Sequence, residues 1–530
     1  MRDGFRASMG WLHTWAGILA SGLLFAIFWM GTLSVFDKEI DQWMIPETRL
    51  VAPTEDVSYD ALLPIILTRT GGETNYVNFS RPSARTPVVK SFYYDPATEQ
   101  YERIVLDPAS GNVIDSTDSL AGTGFIFPFH FRLHASWNRI GDWIVGFAGM
   151  SMLVLLVSGI FIHRKIIQEF FVFRPTKKPR RSILDLHNMT SLAALPFHFL
   201  IVLTGLMIFS SLYLGPGLMK AADGEIASLF EEVYGGKRLP PAGEPGELAS
   251  LDAMVSEASR IWSERSGKEM TPDTVRIFNV GDKNATVYVR NTFPSGRVAM
   301  SLDVTTFNGS TGEVYHDHAP TPVVRAFQWL EGFHFVQFGH WPLRWLYFLA
   351  GLAGCAMIAT GLLFWIQSRI RRGVVDPLKV RSIRALTVGS TTGIMLATAG
   401  FLLANRLLPK EAAALSFDRS DLEVVAFFVI WIGAFVHAAL RGANSWSDQP
   451  LAISAVAFGA VVLNWVTTGH HLVASATAGL WSVFGMDLVL VAGGLAALVS
   501  GLKLRTNATG AIDPKGGTAL RTSAPPAAAE

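Results

Sequence analysis

The sequence predicts a mostly helical, polytopic membrane protein in which a duplicated four-helix core is followed by about four extra transmembrane helices. Two observations predict this class. Half of the 530 residues are apolar and only 16% are charged, whereas a soluble chain carries about a quarter charged residues. The apolar runs nearest the N-terminus also repeat one another. The net charge of +1 gives no indication of nucleic-acid binding.

Eight apolar runs are long enough to cross roughly 30 Å of hydrocarbon. They lie near residues 11–36, 142–163, 188–212, 343–366, 385–404, 422–440, 451–468 and 481–502. The first run is longer than the apolar part of a secretory signal, and no small-residue cleavage site follows it. We therefore expect an uncleaved membrane anchor.

Lysine and arginine collect on one side of the predicted membrane. Arg2 and Arg6 precede the first run, clusters at 163–181 and 369–384 follow the second and fourth runs, and Lys503 and Arg505 follow the eighth. Cytoplasmic loops of membrane proteins carry an excess of these residues. We therefore predict a multi-pass protein of the bacterial inner membrane with both termini in the cytoplasm.

Two long loops, 37–125 and 213–325, are predicted to lie in the periplasm and to form small α+β domains. YDALLPIILTRTG and SLDAMVSEASRIWSERSG have helical spacing. Runs with strand-like alternation such as TVRIFNV and ATVYVRN follow the second of these segments. The tail at 506–530 is rich in Ala, Pro, Thr and Gly, and we expect it to be disordered.

The first four apolar runs are an internal duplication. A shift of 174 residues lays His13 on His187. A shift of 202 residues lays the second run on the fourth, and a two-residue gap upstream then places His134 opposite His334. Each half is therefore one span, one outer domain and a second span. The four later runs, at 385–503, have no counterpart and are predicted to be an addition whose removal leaves the cofactor content of the core intact.

The repeated histidines predict a pair of b-type haem sites. Ionisable residues at membrane helices are costly and indicate function. Haem held by two histidines needs two imidazoles at equal depth on facing helices. The duplication supplies this twice, with His13 and His187 on the cytoplasmic side and His134 and His334 on the periplasmic side. The alternative that such histidines merely solvate helix ends stays open. The single cysteine, Cys355, excludes an iron–sulfur cluster, and no CxxCH motif for c-type haem is present.

The remaining histidines near these spans allow more than one interpretation. His198 lies within the third span after Pro196, and it is either a ligand or a structural or proton-handling residue. His163 adjoins a basic cluster and is either a ligand or an interfacial charge. His130 and His340 either line the periplasmic site or face water.

Four motifs resemble the PepSY-associated transmembrane helix family, which includes iron-regulated inner-membrane proteins and ferric-siderophore reductases. They are LHTWAG at 12–17, RLHASWNRIGDWIVGFAG at 132–149, LDLHN at 184–188 and GFHFVQFGHWPLRWLYFLAGL at 332–352. The resemblance covers roughly residues 8–370. It implies membrane segments at 8–36, 126–212 and 326–368, PepSY-like domains in both loops, and two b haems held by His13, His134, His187 and His334.

The main functional hypothesis is a transmembrane haem oxidoreductase that passes electrons to a periplasmic ferric chelate, in particular a ferric siderophore. The sequence has no dinucleotide-binding GxGxxG turn after a predicted strand and no cytoplasmic domain large enough for a flavin. The electrons are therefore expected from membrane quinol or from a separate reductase. Membrane lipids are the other expected partner. Two alternatives stay open: a PepSY-type binding or regulatory protein without redox activity, and a metal or siderophore permease.

Overall fold

The computed structural model describes residues 2–51, 56–115, 118–163, 172–174, 179–221, 231, 234–292, 298–301, 303–371 and 377–510. Several residues of the predicted basic clusters, among them Arg164, Lys165, Lys177 and Lys178, lie outside the described residues. So does most of the predicted disordered tail, although the last helix continues to Gly510.

Helices make up most of the chain. In order they are α1 (Arg2–Ser34), α2 (Asp37–Met44), α3 (Tyr59–Arg69), α4 (Phe127–Arg132), α5 (Ile140–Ile162), α6 (Pro179–Ala193), α7 (Leu195–Ile208), α8 (Ser210–Ala221), α9 (Leu251–Ser266), α10 (Pro322–Phe335), α11 (Trp341–Arg371), α12 (Pro377–Val388), α13 (Ile394–Leu407), α14 (Arg419–Arg441), α15 (Ser445–Thr468), α16 (Leu472–Thr477) and α17 (Trp481–Gly510). Short 3₁₀ or π turns lie at Pro46–Thr48, Ala121–Ile126, Trp137–Arg139, Gly389–Gly393 and Gly442–Asn444.

Seven helical stretches among the described residues are long and apolar enough to cross a membrane. They are Gly4–Ser34, Trp137–Ile162, Leu195–Gly215, Trp341–Arg369, Val380–Leu407, Arg419–Thr468 and Trp481–Thr506. The sequence predicted eight spans. The difference arises because Arg419–Thr468 contains two of the predicted spans, α14 and α15, which are separated at Gly442 by a backbone with φ of 60° and ψ of −121°. The chain is a multi-pass membrane protein.

The third predicted span, 188–212, is interrupted near its start. Helix α6 ends at Ala193, and α7 begins at Leu195 with Pro196 in its first turn. A proline has no N–H to donate and clashes with a preceding helical turn. The interruption lies between His187, which is on α6, and His198, which is on α7.

The added C-terminal helices share one apolar core with the duplicated helices. Met30, Phe125, Phe401 and Phe427 are fully buried in the same cluster. Burial of such large side chains contributes about 1.5–3 kcal/mol each. Trp43 of α2 is also fully buried, and its Nε1 donates to Asp487 Oδ1 of α17 at 2.7 Å. The addition is therefore packed against the core over a broad surface.

The two outer loops form one eight-stranded antiparallel sheet. Its strands are β1 (Tyr76–Ser80), β2 (Val89–Asp95), β3 (Gln100–Leu106), β4 (Val113–Ile114), β5 (Thr274–Phe278), β6 (Thr286–Asn291), β7 (Asp303–Asn308) and β8 (Val314–His318). The strand order is β4-β3-β2-β1-β5-β6-β7-β8. The sequence predicted two separate domains, whereas β1 and β5 pair over their whole length. This pairing satisfies the backbone groups of two strands that would otherwise be exposed edges.

The two faces of the sheet differ because side chains alternate along each strand. Val77, Phe79, Val275 and Ile277 are fully buried on one face, in a cluster that also includes Trp262 of α9. Residues of α3 belong to the same cluster. We call the other face, which carries Tyr76 on β1 and Phe278 on β5, the aromatic face.

Candidate functional site

Two pairs of histidines lie at opposite ends of the duplicated helices. The pair farther from the sheet, called the distal pair, is His13 of α1 and His187 of α6. Their ring centroids are 6.5 Å apart, with an angle of 76° between the ring planes. The structure thus brings together the two residues that the repeat predicted to be equivalent.

The second pair, called the sheet-side pair, is His130 of α4 and His334 of α10. Their ring centroids are 6.0 Å apart, with an angle of 26° between the planes. The sequence paired His334 with His134 instead. A gap of two residues in the opposite direction places His130 opposite His334 instead. The structure brings together the rings of this second alignment.

His134 points away from the sheet-side pair because the chain turns sharply after α4. Leu133 and His134 have φ angles of 54° and 57°, and this left-handed conformation ends the helix. The His134 ring then packs against Phe125 and Phe428, with centroids 5.5 and 6.1 Å away. It does not line either of the two cavities described below.

All four paired histidines are held by the same local arrangement. In the distal pair, Nδ1 of His13 lies 3.1 Å from the carbonyl oxygen of Leu155, and Nδ1 of His187 lies 2.8 Å from that of Met357. A donor at Nδ1 leaves the lone pair of the neutral ring on Nε2. This is the arrangement that orients imidazoles which bind metals.

The sheet-side pair repeats this arrangement. Nδ1 of His130 lies 2.8 Å from the carbonyl oxygen of Ile27, and Nδ1 of His334 lies 2.9 Å from that of Ile201. His13 has a second neighbour, the hydroxyl of Ser158 at 3.1 Å. Within the described part of the chain, no hydrogen bond to the Nε2 atom of any of the four rings is found.

A glycine lies four residues after each of these carbonyl groups, and the imidazole packs on it. A Cβ on Gly31 would lie 2.6 Å from the His130 ring, and one on Gly205 would lie 2.7 Å from the His334 ring. The distal pair is less tight, with distances of 3.5 Å from Gly159 to His13 and 3.2 Å from Gly361 to His187. The glycines therefore give the rings room against the neighbouring helix.

Each histidine pair borders a cavity between the helices. The sheet-side cavity has a volume of about 390 Å³ and the distal cavity about 520 Å³, both within the range of about 300–1,000 Å³ that is usual for ligand sites. Both are lined mostly by apolar side chains. Leu24 and Met152 line both cavities, so the two are neighbours along the core.

The two further candidate histidines lie at different depths. His163, at the C-terminal end of α5, lines the distal cavity together with His13 and His187. His198 is fully buried, with its Nε2 3.1 Å from the carbonyl oxygen of Ala350, and its ring packs on Phe28 at a centroid distance of 5.9 Å. Because Phe28 lines the sheet-side cavity, His198 lies behind that cavity rather than in it.

Arginines lie at both cavities. Arg132 and Arg139 donate to the two carboxylate oxygens of Asp142 at 2.9 and 2.8 Å, and all three residues line the sheet-side cavity. Arg180 and Arg369 line the distal cavity. Neither pairs with a carboxylate among the residues that the structure describes. Both cavities therefore have an excess of positive charge at one end.

Asp41 positions α4 and was not singled out by the sequence. Its Oδ1 accepts hydrogen bonds from the backbone N–H groups of Gly122 and Thr123, both at 2.9 Å, and its Oδ2 accepts from the Thr123 hydroxyl at 2.7 Å. These groups begin the π turn that leads into α4. A carboxylate at such a helix start satisfies otherwise unpaired donors and fixes the direction from which His130 enters.

A buried charge cluster joins the sheet to the membrane helices beside the sheet-side cavity. Glu39 of α2 binds Arg85 from the β1–β2 connection at 2.8 Å and Arg344 of α11 at 2.9 Å. Burial alone would raise the pKa of Glu39, but the two guanidinium groups outweigh it and hold the pKa below its usual value. Arg344 also donates to the carbonyl oxygen of Val35 at 2.7 Å, a residue that lines the cavity.

These features define a class of protein: a multi-pass membrane protein with duplicated helices, one shared extramembrane sheet and two histidine-bordered cavities. Residues 10–368 match the family described as the PepSY-associated TM region. The chain belongs to this family, and the family assignment made from the sequence is confirmed. It is also 27% identical over 333 residues to the uncharacterized protein PA4219 of Pseudomonas aeruginosa, covering 59% of this chain and 78% of the relative.

Proposed function

We propose that the protein is a transmembrane haem oxidoreductase that carries electrons across the bacterial inner membrane to a ferric chelate in the periplasm. The observation that carries the proposal is the pair of facing imidazoles at each end of the core. Two imidazoles bound on opposite sides of one metal ion, with metal–nitrogen bonds of about 2 Å, have centroids roughly 6 Å apart. The observed separations are 6.5 and 6.0 Å.

The donor set fits haem better than a free metal ion. Among the described residues, no group of three or more His, Cys, Asp or Glu side chains is arranged to hold an ion. Each pair therefore offers two nitrogen ligands, which is what a haem iron with four porphyrin nitrogens still requires. The apolar cavities suit the porphyrin, and the arginines at each cavity suit its carboxylates.

Bound haem would supply one-electron redox chemistry, and the chain's own residues would supply position and burial. His13 and His187 would hold one group, and His130 and His334 the other. The backbone carbonyl at each Nδ1 would keep Nε2 free for iron and would increase its basicity. Neighbouring cavities at different depths favour transfer along the core rather than along the surface.

The direction of transfer rests on the positive charges that follow the second, fourth and eighth apolar runs, which favour a cytoplasmic distal pair. Reduction at the sheet side would release iron from a chelate with hard oxygen donors, because ferrous iron is held less tightly by such ligands. The electron donor would be quinol or a separate reductase at the distal side.

Absorption spectroscopy of the purified full-length chain tests the proposal. We expect low-spin spectra of the bis-imidazole type and two haems per chain. In liposomes with a reductant inside, a ferric chelate outside should be reduced. His187→Ala should remove one haem and stop this transfer, whereas His316→Ala, at a half-buried position of β8 that lines neither cavity, should change neither. Haem-free protein from haem-replete cells would refute the proposal.

A further inference from the structure

The aromatic face of the sheet carries a continuous strip of aromatic rings across five strands. It consists of Tyr101 on β3, Phe92 and Tyr94 on β2, Tyr76 on β1, Phe278 on β5 and Tyr288 on β6. The rings of Phe92 and Tyr101 stack at 5.0 Å with 7° between their planes, and Tyr76 touches Phe278 at 5.2 Å. The strip crosses the β1–β5 pairing, so neither loop forms it alone.

The strand positions of this face carry cations and no carboxylate among the described residues. Lys90, Arg103, Arg276 and Arg290 lie on it, because each is opposite another residue of the same face in the strand register. The strand carboxylates Asp95, Glu102, Asp303 and Asp317 lie on the opposite face, which the helices cover. One face of the sheet is thus positively charged.

Arg276 and Arg290 lie at the centre of this positive charge. They lie on the neighbouring strands β5 and β6, and both are half-buried. The Nε of Arg276 donates to the side-chain oxygen of Asn78 at 3.1 Å, and within the described residues neither guanidinium forms an ion pair. Burial and the nearby Arg276 lower the pKa of Arg290, while Asp273, which precedes β5, opposes this only in part. Two like charges held together, with no carboxylate in direct contact among the described residues, favour an anionic ligand.

Two further guanidinium groups stack on the rings of the strip. Arg103 lies 5.7 Å from the centroid of Phe92, and Arg238, from the chain before α9, lies 3.7 Å from that of Phe278. The ring of Tyr101 is 57% exposed. From β3 to β6 the strip spans four strand spacings of about 4.8 Å, or roughly 19 Å. The face thus offers planar, cationic and aromatic contacts over an area large enough for a compact chelate.

We infer that the aromatic face binds a polyanionic, aryl-bearing ferric chelate of the catecholate class, with Arg276 and Arg290 neutralising its charge and the exposed Tyr101 stacking on one of its rings. The inference rests on the proposed function for its choice of an iron chelate. It goes beyond that function in naming the charge and aromatic character of the substrate and the surface that binds it.

A redox-inert chelate tests the binding separately from electron transfer. The probe is the gallium(III) complex of a hexadentate tris-catecholate chelator, titrated against the full-length chain in detergent, with tyrosine and tryptophan fluorescence as the readout. The comparison probe is the neutral gallium(III) complex of a hexadentate tris-hydroxamate. We expect the anionic complex to bind more tightly than the neutral one, with an affinity that falls as salt rises.

The double variant Arg276→Gln/Arg290→Gln should weaken binding of the anionic complex about tenfold or more, because removing groups that bind a ligand charge directly has effects of this size. The matched control Arg260→Gln/Lys268→Gln removes two positive charges from exposed positions in or just after α9 and should change binding less than about twofold. Tyr101→Ser tests the ring contact with no change of charge and should weaken binding of the anionic complex.

Equal affinity of the wild-type chain and the Arg276→Gln/Arg290→Gln variant would overturn the inference, as would equal affinity for the anionic and neutral complexes. Haem content, measured on the same samples, reports on the proposed function independently. A haem-free chain that still binds the gallium complex through these arginines would refute electron transfer and leave the binding site standing. A haem-loaded chain without such binding would refute the binding site and leave the proposed electron transfer standing.

Discussion

Asp60 of α3 caps the start of α9, and Asp252 of α9 caps the start of α3. Asp60 of α3 accepts from the backbone N–H of Leu251 at 2.7 Å, and Asp252 of α9 accepts from that of Tyr59 at 2.7 Å. Ser250 and Ser58 add hydroxyl hydrogen bonds to the same two carboxylates, at 2.6 and 2.5 Å. The two repeats are thus joined by a reciprocal contact as well as by the β1–β5 pairing.

This reciprocity predicts a crossed effect of mutation. Asp60→Ala should loosen the start of α9, and Asp252→Ala the start of α3, with a loss of about 1 kcal/mol each, as for a lost helix cap. Hydrogen exchange should therefore increase at Leu251 in the first variant and at Tyr59 in the second. Asp107→Ala, in an exposed turn of the same sheet, is the control. Faster exchange only within the mutated residue's own repeat would contradict the prediction.

The sheet-side pair predicts different outcomes at His130 and His134. His130→Ala should remove one of the two proposed haems, since the His130 ring faces His334. His134→Ala should retain both, because its ring packs on Phe125 and Phe428. Haem stoichiometry, with folding checked by melting temperature, decides between the two. Haem loss in the His134 variant alone would restore the pairing predicted from the sequence.

Alanine substitution of the glycines that the imidazoles pack on should weaken haem binding to different degrees. Gly31→Ala and Gly205→Ala place a Cβ 2.6 and 2.7 Å from the ring of a sheet-side histidine, so the ring must move. Gly159→Ala places it at an ordinary contact distance of 3.5 Å from His13. We expect about 10- to 100-fold weaker haem binding in the first two and little change in the third. The measurement is haem retention during dilution. An equal effect of all three substitutions would show that close contact between the glycine and the imidazole does not set haem affinity.

Glu331 of α10 predicts a pH-dependent stability. Burial raises the pKa of Glu331 to about 7 from 4.5. Because the folded-state pKa is the higher one, the contribution to stability is fully present below about pH 4.5 and is lost as pH rises through about 7. Glu331→Gln should remove this dependence and raise stability at pH 8 by about 1–2 kcal/mol, allowing for partial exposure.

Thermal unfolding of the wild-type chain and the Glu331 variant at pH 5 and pH 8 checks this prediction. Glu313→Gln removes the same charge at an exposed position before β8 and should behave like the wild type. A Glu331 variant whose melting temperature falls with pH as steeply as that of the wild type would show that Glu331 does not titrate in this range.

Truncation of the added helices should cause loss of one of the two proposed haems. Phe125 and Phe129, which precede His130, pack on Phe427 of α14 with centroids 5.1 and 5.6 Å apart. Deleting residues 385–530 would expose these rings, at a cost of about 1.5–3 kcal/mol for each. We therefore expect the truncated chain to lose the sheet-side haem and keep the distal one, whereas the sequence by itself predicted that both would remain. Retention of both haems would show that the sheet-side site does not depend on the added helices.

The membrane class, the duplication, the family and the distal pair can all be predicted from the sequence. These follow from local pattern: apolar runs are long enough to cross a bilayer, and His13 and His187 occupy the same position of two repeated spans. The LDLHN and LHTWAG motifs preserve that position without an insertion or deletion between the repeats, so alignment alone finds the pair.

Three features depend on tertiary contacts: the sheet-side partner of His334, the single sheet and the packing of the added helices against the core. His130 and His134 are four residues apart in a helix-rich segment, and only the left-handed turn at Leu133 directs one ring toward His334 and the other toward α14. The β1–β5 pairing joins residues about 200 positions apart, and no local pattern specifies such a contact. The buried contact of Trp43 with Asp487 likewise depends on two polar groups meeting in the core, where an unpaired partner would be costly.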